Sequence, residues 1–195
     1  HGAIVHESIS DLIGALPTQP KVVLSMVSAG PAVDAIIEQC TTGANALAQG
    51  DIFIDCVNSF YKDSVRRSGQ LAKLGIDMMD AGVSGGISGA RNGACVMVGG
   101  KAENYQLLEH LFADIAQPDG YGYFGQNGAG HFVKMVHNAI EYGMMQSLAE
   151  GLNLIEHSEF EPDMAKLTDV WNHGSIIQGN LMGYINEALK TDAKL

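Results

Sequence analysis

The chain has 195 residues, of which 46% are hydrophobic and 17% charged, so it is long and apolar enough to bury a core and unsuited to disorder. A formal net charge of −11 with no basic block argues against nucleic acid or an anionic membrane as a partner. Short, interrupted apolar runs exclude a membrane-spanning helix, and no basic flank leads into an apolar stretch as a signal peptide would. The three cysteines, Cys40, Cys56 and Cys95, are odd in number and sit among small or apolar residues. They are expected to be buried free thiols, which implies a reducing cytoplasm.

In chain order, residues 22–27 (VVLSMV) form an apolar run of strand length, followed by a Ser-Ala-Gly-Pro turn that can open a helix. Residues 32–40 have helical spacing, 51–56 (DIFIDC) read as a buried strand, 62–73 as a charged helix and 76–80 as a third strand. Three strands separated by helices predict a parallel α/β sheet with ligands at the carboxyl ends of its strands. A strand-like ACVMV precedes Gly99-Gly100, a helix is expected at 102–116, and PDGYGYFGQNGAG reads as a loop. From Ala129 the pattern is helical to about His157, and after a break at Glu161-Pro162-Asp163 at least one further helix is expected. The fold class is therefore a Rossmann-like parallel sheet followed by an all-helical domain with a long helix. The division is placed at residues 1–127 and 128–195.

Two segments carry candidate chemistry. At roughly 100° per residue, Lys134, Asn138 and Glu141 point within about 60° of one another on the long helix. His137 flanks that arc on one side and Tyr142 on the other, so five chemically capable side chains share a face. Met135, Val136, Ala139 and Met144 are left on the opposite face for packing. A solvated stripe is the plain alternative, since a lone Lys–Glu pair at helical spacing is usually no more than that. The second segment is Asp80-Ala81-Gly82-Val83-Ser84-Gly85-Gly86. A strand running into Ser-Gly-Gly on the ligand edge offers N–H groups and a hydroxyl to a carboxylate or polyol, although in isolation it would be a tight turn.

With DAGVSGGISGARNGACVMVGG (80–100) and GAGHFVKMVHNAIEYGMMQSLAEG (128–151), supported by MVSAG (26–30) and DIFIDCVNSFYKDS (51–64), the sequence resembles the decarboxylating 6-phosphogluconate dehydrogenases. The 3-hydroxyisobutyrate type of β-hydroxyacid dehydrogenase shares the V-S-G-G loop and the helix lysine. It usually follows that lysine with an asparagine pair, however, and lacks the Glu-Tyr-Gly-Met-Met continuation. The resemblance implies Lys134 as the base that takes the 3-hydroxyl proton and then polarises the ketone, and Glu141 as the acid that protonates C1 of the enediol left when CO₂ departs. It implies Asn58, Ser84, Gly85, Gly86, His137 and Asn138 as ligands of the sugar acid, and Tyr142 as a ligand of its phosphate. Val27, Ser28 and Ala29, with Asn58, would line NAD or NADP. No metal is implied, and a homodimer or homotetramer joined through the region after Gly128 is expected.

The sequence departs from the family pattern in two places. Nothing upstream of Met26 reads as the strand, G-x-G-x-x-G turn and helix that hold a pyrophosphate, so these residues are expected to bind dinucleotide weakly and to be inactive alone. A silent fragment or oligomerisation module is the corresponding alternative. Gln178 stands near a position where short bacterial members tend to carry an arginine, which leaves a non-phosphorylated aldonate as a second substrate class.

Overall fold

The computed structural model describes residues 2–17 and 19–192, and the chain divides after His137 into two compact units. The first begins with α1 (Ile9–Ala15), β1 (Val22–Ser25), α2 (Pro31–Thr41), β2 (Ile52–Asp55), α3 (Tyr61–Ala72) and β3 (Asp77–Ser84). It continues through α4 (Gly86–Asn92), β4 (Ala94–Gly99), α5 (Ala102–Ile115) and β5 (Ala116–Tyr123) into the start of α6 (Ala129–Glu156). The five strands form one sheet in the order β1-β2-β3-β4-β5. The first three are parallel, as the sequence pattern predicts.

Alternation along β2 shows how both faces of this sheet are covered. Phe53 packs with Ile13, Val33, Ile37 and Leu71, whereas Ile52 and Ile54 pack with Met79, Val98, Leu108 and Phe112. A strand apolar at every position is the signature of a sheet buried on both sides.

The third strand does not stop at Asp80 but runs on to Ser84, because β4 returns antiparallel beside it and pairs Ser84 with Cys95. Residues 85–93 are too short for the crossover that a parallel return requires. The expected loop after Ala116 contains β5, which pairs with β4 in parallel despite its Pro118 and two glycines. Cys40 and Cys56 are buried and free as expected, and burial pushes their thiols up to about 11 and about 12, with the charge on Asp55 adding to the second. Cys95 is free but exposed, because it points away from the packed side of β4.

The start of α6 is fixed by Asp80, the first residue of the 80–86 segment. Asp80 is fully buried, and its carboxylate oxygens accept from the N–H of Gly128 at 2.6 Å and of His131 at 2.9 Å. It thus caps the helix from the middle of the sheet, satisfying donors that a helix start leaves unpaired. Ser64 on α3 adds a second tie, its hydroxyl lying 2.7 Å from Nδ1 of His131. Close approach is possible because Gly130 has no side chain: a Cβ there would strike the carbonyls of Met97 and Asp80.

This docking reverses the expected orientation of the helix. The buried residues of α6 are Gly130, His131 and Lys134, whereas Met135, Val136, Ala139 and Met144 are all exposed. The face with the acid–base groups is therefore turned to the sheet, at least as far as His137.

The second unit comprises α6 from Asn138 onwards, α7 (Met164–Trp171) and α8 (Asn180–Thr191). Asp163 caps α7 by accepting from the N–H of Lys166 at 3.0 Å. Asn186 on α8 is buried and donates to the Ala165 carbonyl at 2.7 Å and to the Thr168 hydroxyl at 3.0 Å, which pins the two helices together. Among the described residues, no helix is long and apolar enough to cross a membrane.

Candidate active site

The carboxyl ends of β1, β2 and β3 lie side by side, with Ser25, Asp55 and Asp80 in register, and β3 projects beyond that row to Ser84. The loops that leave this edge carry most of the residues singled out in the sequence. Val27, Ser28 and Ala29 follow β1 and are exposed; Asn58 follows β2 and is exposed between the buried Val57 and Ser59. Ser84 ends β3, and Gly85 and Gly86 lead into α4 with φ of 129° and 55°, backbone conformations that glycine adopts without strain.

One hydrogen bond joins this edge to α6, and a second continues it along the helix. Ser84 Oγ lies 3.3 Å from His137 Nε2, and His137 Nδ1 lies 3.4 Å from Lys134 Nζ. When Lys134 is charged it can only donate, so Nδ1 of His137 accepts and Nε2–H donates to the serine. Lys134 is 7% exposed. The place it occupies is made by Gly82 on β3, where any Cβ would fall on the Cβ of Lys134. Ser84 is therefore brought across the strand–helix contact to His137 and Lys134, which are one helical turn apart on α6.

The remaining predicted residues follow along the same helix, in the second unit. Asn138 and Glu141 are half-buried and Tyr142 is 67% exposed. Gln178 lies between α7 and α8, where its Oε1 accepts from the N–H of Gly174 at 2.6 Å. No group of three or more His, Cys, Asp or Glu side chains is placed to hold a metal among the described residues. Sequence reasoning gave Asp80, Ser64 and Gly82 no role of their own, yet they build the socket that seats the helix. Asp80 and Gly82 lie inside the conspicuous 80–86 segment, but only the strand's direction assigns them to the helix rather than to the turn.

A mostly parallel sheet whose strand ends present exposed small-residue loops, followed by a lysine-bearing helix, is a Rossmann-like arrangement. Residues 1–128 match the family model described as the NAD binding domain of 6-phosphogluconate dehydrogenase, and residues 130–161 match that of the C-terminal domain of the same enzyme. The chain belongs to the 6-phosphogluconate dehydrogenase family.

Among its relatives is YqeC of Bacillus subtilis, by name a candidate 6-phosphogluconate dehydrogenase, 47% identical over 90% of this chain and 58% of its own. The NAD(+)-dependent, decarboxylating 6-phosphogluconate dehydrogenase of Haloferax volcanii is 35% identical over 98% of this chain and 62% of its own. The chain thus spans about three-fifths of the length of these two relatives. The solved 6-phosphogluconate dehydrogenase of Plasmodium falciparum, studied apo, with NADP+ and with 6-phosphogluconate, superposes with a TM-score of 0.83. It is 32% identical, over 93% of this chain and 39% of its own. The 3-hydroxyisobutyrate dehydrogenase of Mycobacterium tuberculosis shares the fold, with a TM-score of 0.72 at 22% identity over 91% of this chain and 57% of its own.

Proposed function

We propose that the protein carrying this chain oxidatively decarboxylates 6-phosphogluconate to ribulose 5-phosphate and CO₂ with reduction of NAD or NADP. The observation that carries this reading is the Ser84–His137–Lys134 chain, which seats a buried lysine against the ligand edge of the sheet. Exposed small residues after β1 and an exposed amide after β2 suit the nicotinamide end of a dinucleotide, which supplies the hydride acceptor when bound. Val27, Ser28, Ala29 and Asn58 would line it there.

Within this reading Lys134 removes the proton of the 3-hydroxyl as hydride leaves C3. The lysine then holds that proton against the C3 carbonyl, drawing electron density from the C1–C2 bond as CO₂ departs. Glu141 delivers a proton to C1 of the resulting enediol. Asn58, Ser84, Gly85, Gly86, His137 and Asn138 hold the acid and its hydroxyls, and Tyr142 the phosphate. Having base and acid about two turns apart on one helix serves both halves of the reaction. We place the working protein in the cytoplasm as a homodimer or homotetramer joined through the helical unit, whose start the sequence sets near residue 128.

The test is the growth of the reduced-nicotinamide absorbance with 6-phosphogluconate and either dinucleotide, run beside gluconate. Turnover of the phosphorylated acid with one dinucleotide preferred is the expected result. Turnover of gluconate alone would move the substrate to non-phosphorylated aldonates, as Gln178 would then suggest.

A further inference from the structure

Arginine 67 is 1% exposed, yet it lies on no apolar partner's account alone: it is the hub of three separate elements. Its Nε and Nη2 donate to the two carboxylate oxygens of Asp34 on α2 at 3.1 and 2.8 Å, a bidentate pair. Nη2 also donates at 3.0 Å to the carbonyl of Gly30, the residue that ends the β1 loop with a φ of 92°. Nη1 reaches the Ser59 hydroxyl at 3.3 Å and Asp55 at 3.5 Å. Asp55 in turn is fully buried and accepts from the Val57 N–H at 3.1 Å and the Ser59 hydroxyl at 2.9 Å. Both neighbours of Asn58 are thereby anchored while Asn58 itself faces out.

We propose that Arg67 is a positioning residue for the dinucleotide, locking the loop after β1 to the loop after β2 so that Val27, Ser28, Ala29 and Asn58 form one surface. The inference rests on the proposed function. Arginine suits the task because its rigid fork satisfies two carboxylates and a carbonyl at once, which a lysine cannot do. The hydrogen bond from Arg67 is also the main reason the Asp34 carboxyl is held down to about 2, so that carboxylate stays charged wherever the enzyme would be assayed. Its neighbour Arg66 also binds Asp34, at 2.9 Å, but is 44% exposed and reaches neither loop.

The test compares the Michaelis constants for dinucleotide and for sugar acid in Arg67→Lys and in Asp34→Asn, together with a fluorescence titration of reduced dinucleotide. Arg67→Lys keeps the charge and breaks the fork. It is expected to raise KM and Kd for dinucleotide about tenfold, and the KM for the acid, which shares only Asn58 with that surface, by no more than about threefold. Asp34→Asn is expected to act in the same direction and less, and it decides the matter if Arg67→Lys does not fold. A purely structural arginine would lower Tm and the active fraction while leaving dinucleotide affinity where it was, and that result in both variants would overturn the proposal. So would an equal rise in both Michaelis constants. If the unaltered protein binds dinucleotide but does not turn over 6-phosphogluconate, the proposed function fails, and the Kd shift alone then decides the role of Arg67.

Discussion

Lys134→Ala is expected to lower kcat by about a thousandfold or more while leaving the fold in place, the loss typical when a positioned base is removed. The side chain lies against Gly82 of the sheet, and shortening it leaves the Asp80 cap of the helix in place. KM for the acid should change far less than kcat, because a group that acts mainly in the transition state contributes little to ground-state binding. Near-ultraviolet circular dichroism and Tm would establish that the variant is folded, and single-turnover absorbance would then read the chemistry. Activity within about tenfold of the unaltered protein would remove Lys134 from the role of base.

Asp80→Ala should be the most damaging single change to stability among the residues around the socket. It strips two N–H donors of their buried acceptor at the start of α6 and leaves a cavity beneath the helix. A loss of about 3 kcal/mol is expected, which for a chain of this size lowers Tm by roughly 10 °C. Asp80→Asn keeps one acceptor oxygen and should lose about half as much. Because the same contact sets where Lys134 meets the sheet, kcat should fall in both variants even below their melting range. Thermal unfolding followed by circular dichroism checks the first effect. A melting temperature unchanged for Asp80→Ala would show that the helix is held by its packing alone.

Much of this arrangement could be read before the structure, and the parts that could not have definite physical causes. The first three strands and the long helix announce themselves through apolar runs and sustained helical spacing, and β1, β2 and α6 stand close to where the pattern puts them. The last strand was hidden because AQPDGYGY has the composition of a turn; it is held as a strand by pairing with β4 and by little in its own residues. The antiparallel return of β4 could have been inferred from the short connection before it.

The orientation of α6 was less accessible. Hydrophobic periodicity points Met135, Val136 and Met144 inward, yet glycines on both partners let the helix pack by its lysine face instead. Two adjacent arginines in a charged helix likewise look alike in sequence, and only the fold makes Arg67 a buried hub and leaves Arg66 at the surface.

The most direct test of the central claim is to supply 6-phosphogluconate labelled at C1 and count released CO₂ against reduced nicotinamide. The account predicts the two in equal amounts, with both lost together in Lys134→Ala. Reduced nicotinamide formed with the label retained in a β-keto acid would contradict it and leave the protein a β-hydroxyacid dehydrogenase without decarboxylation.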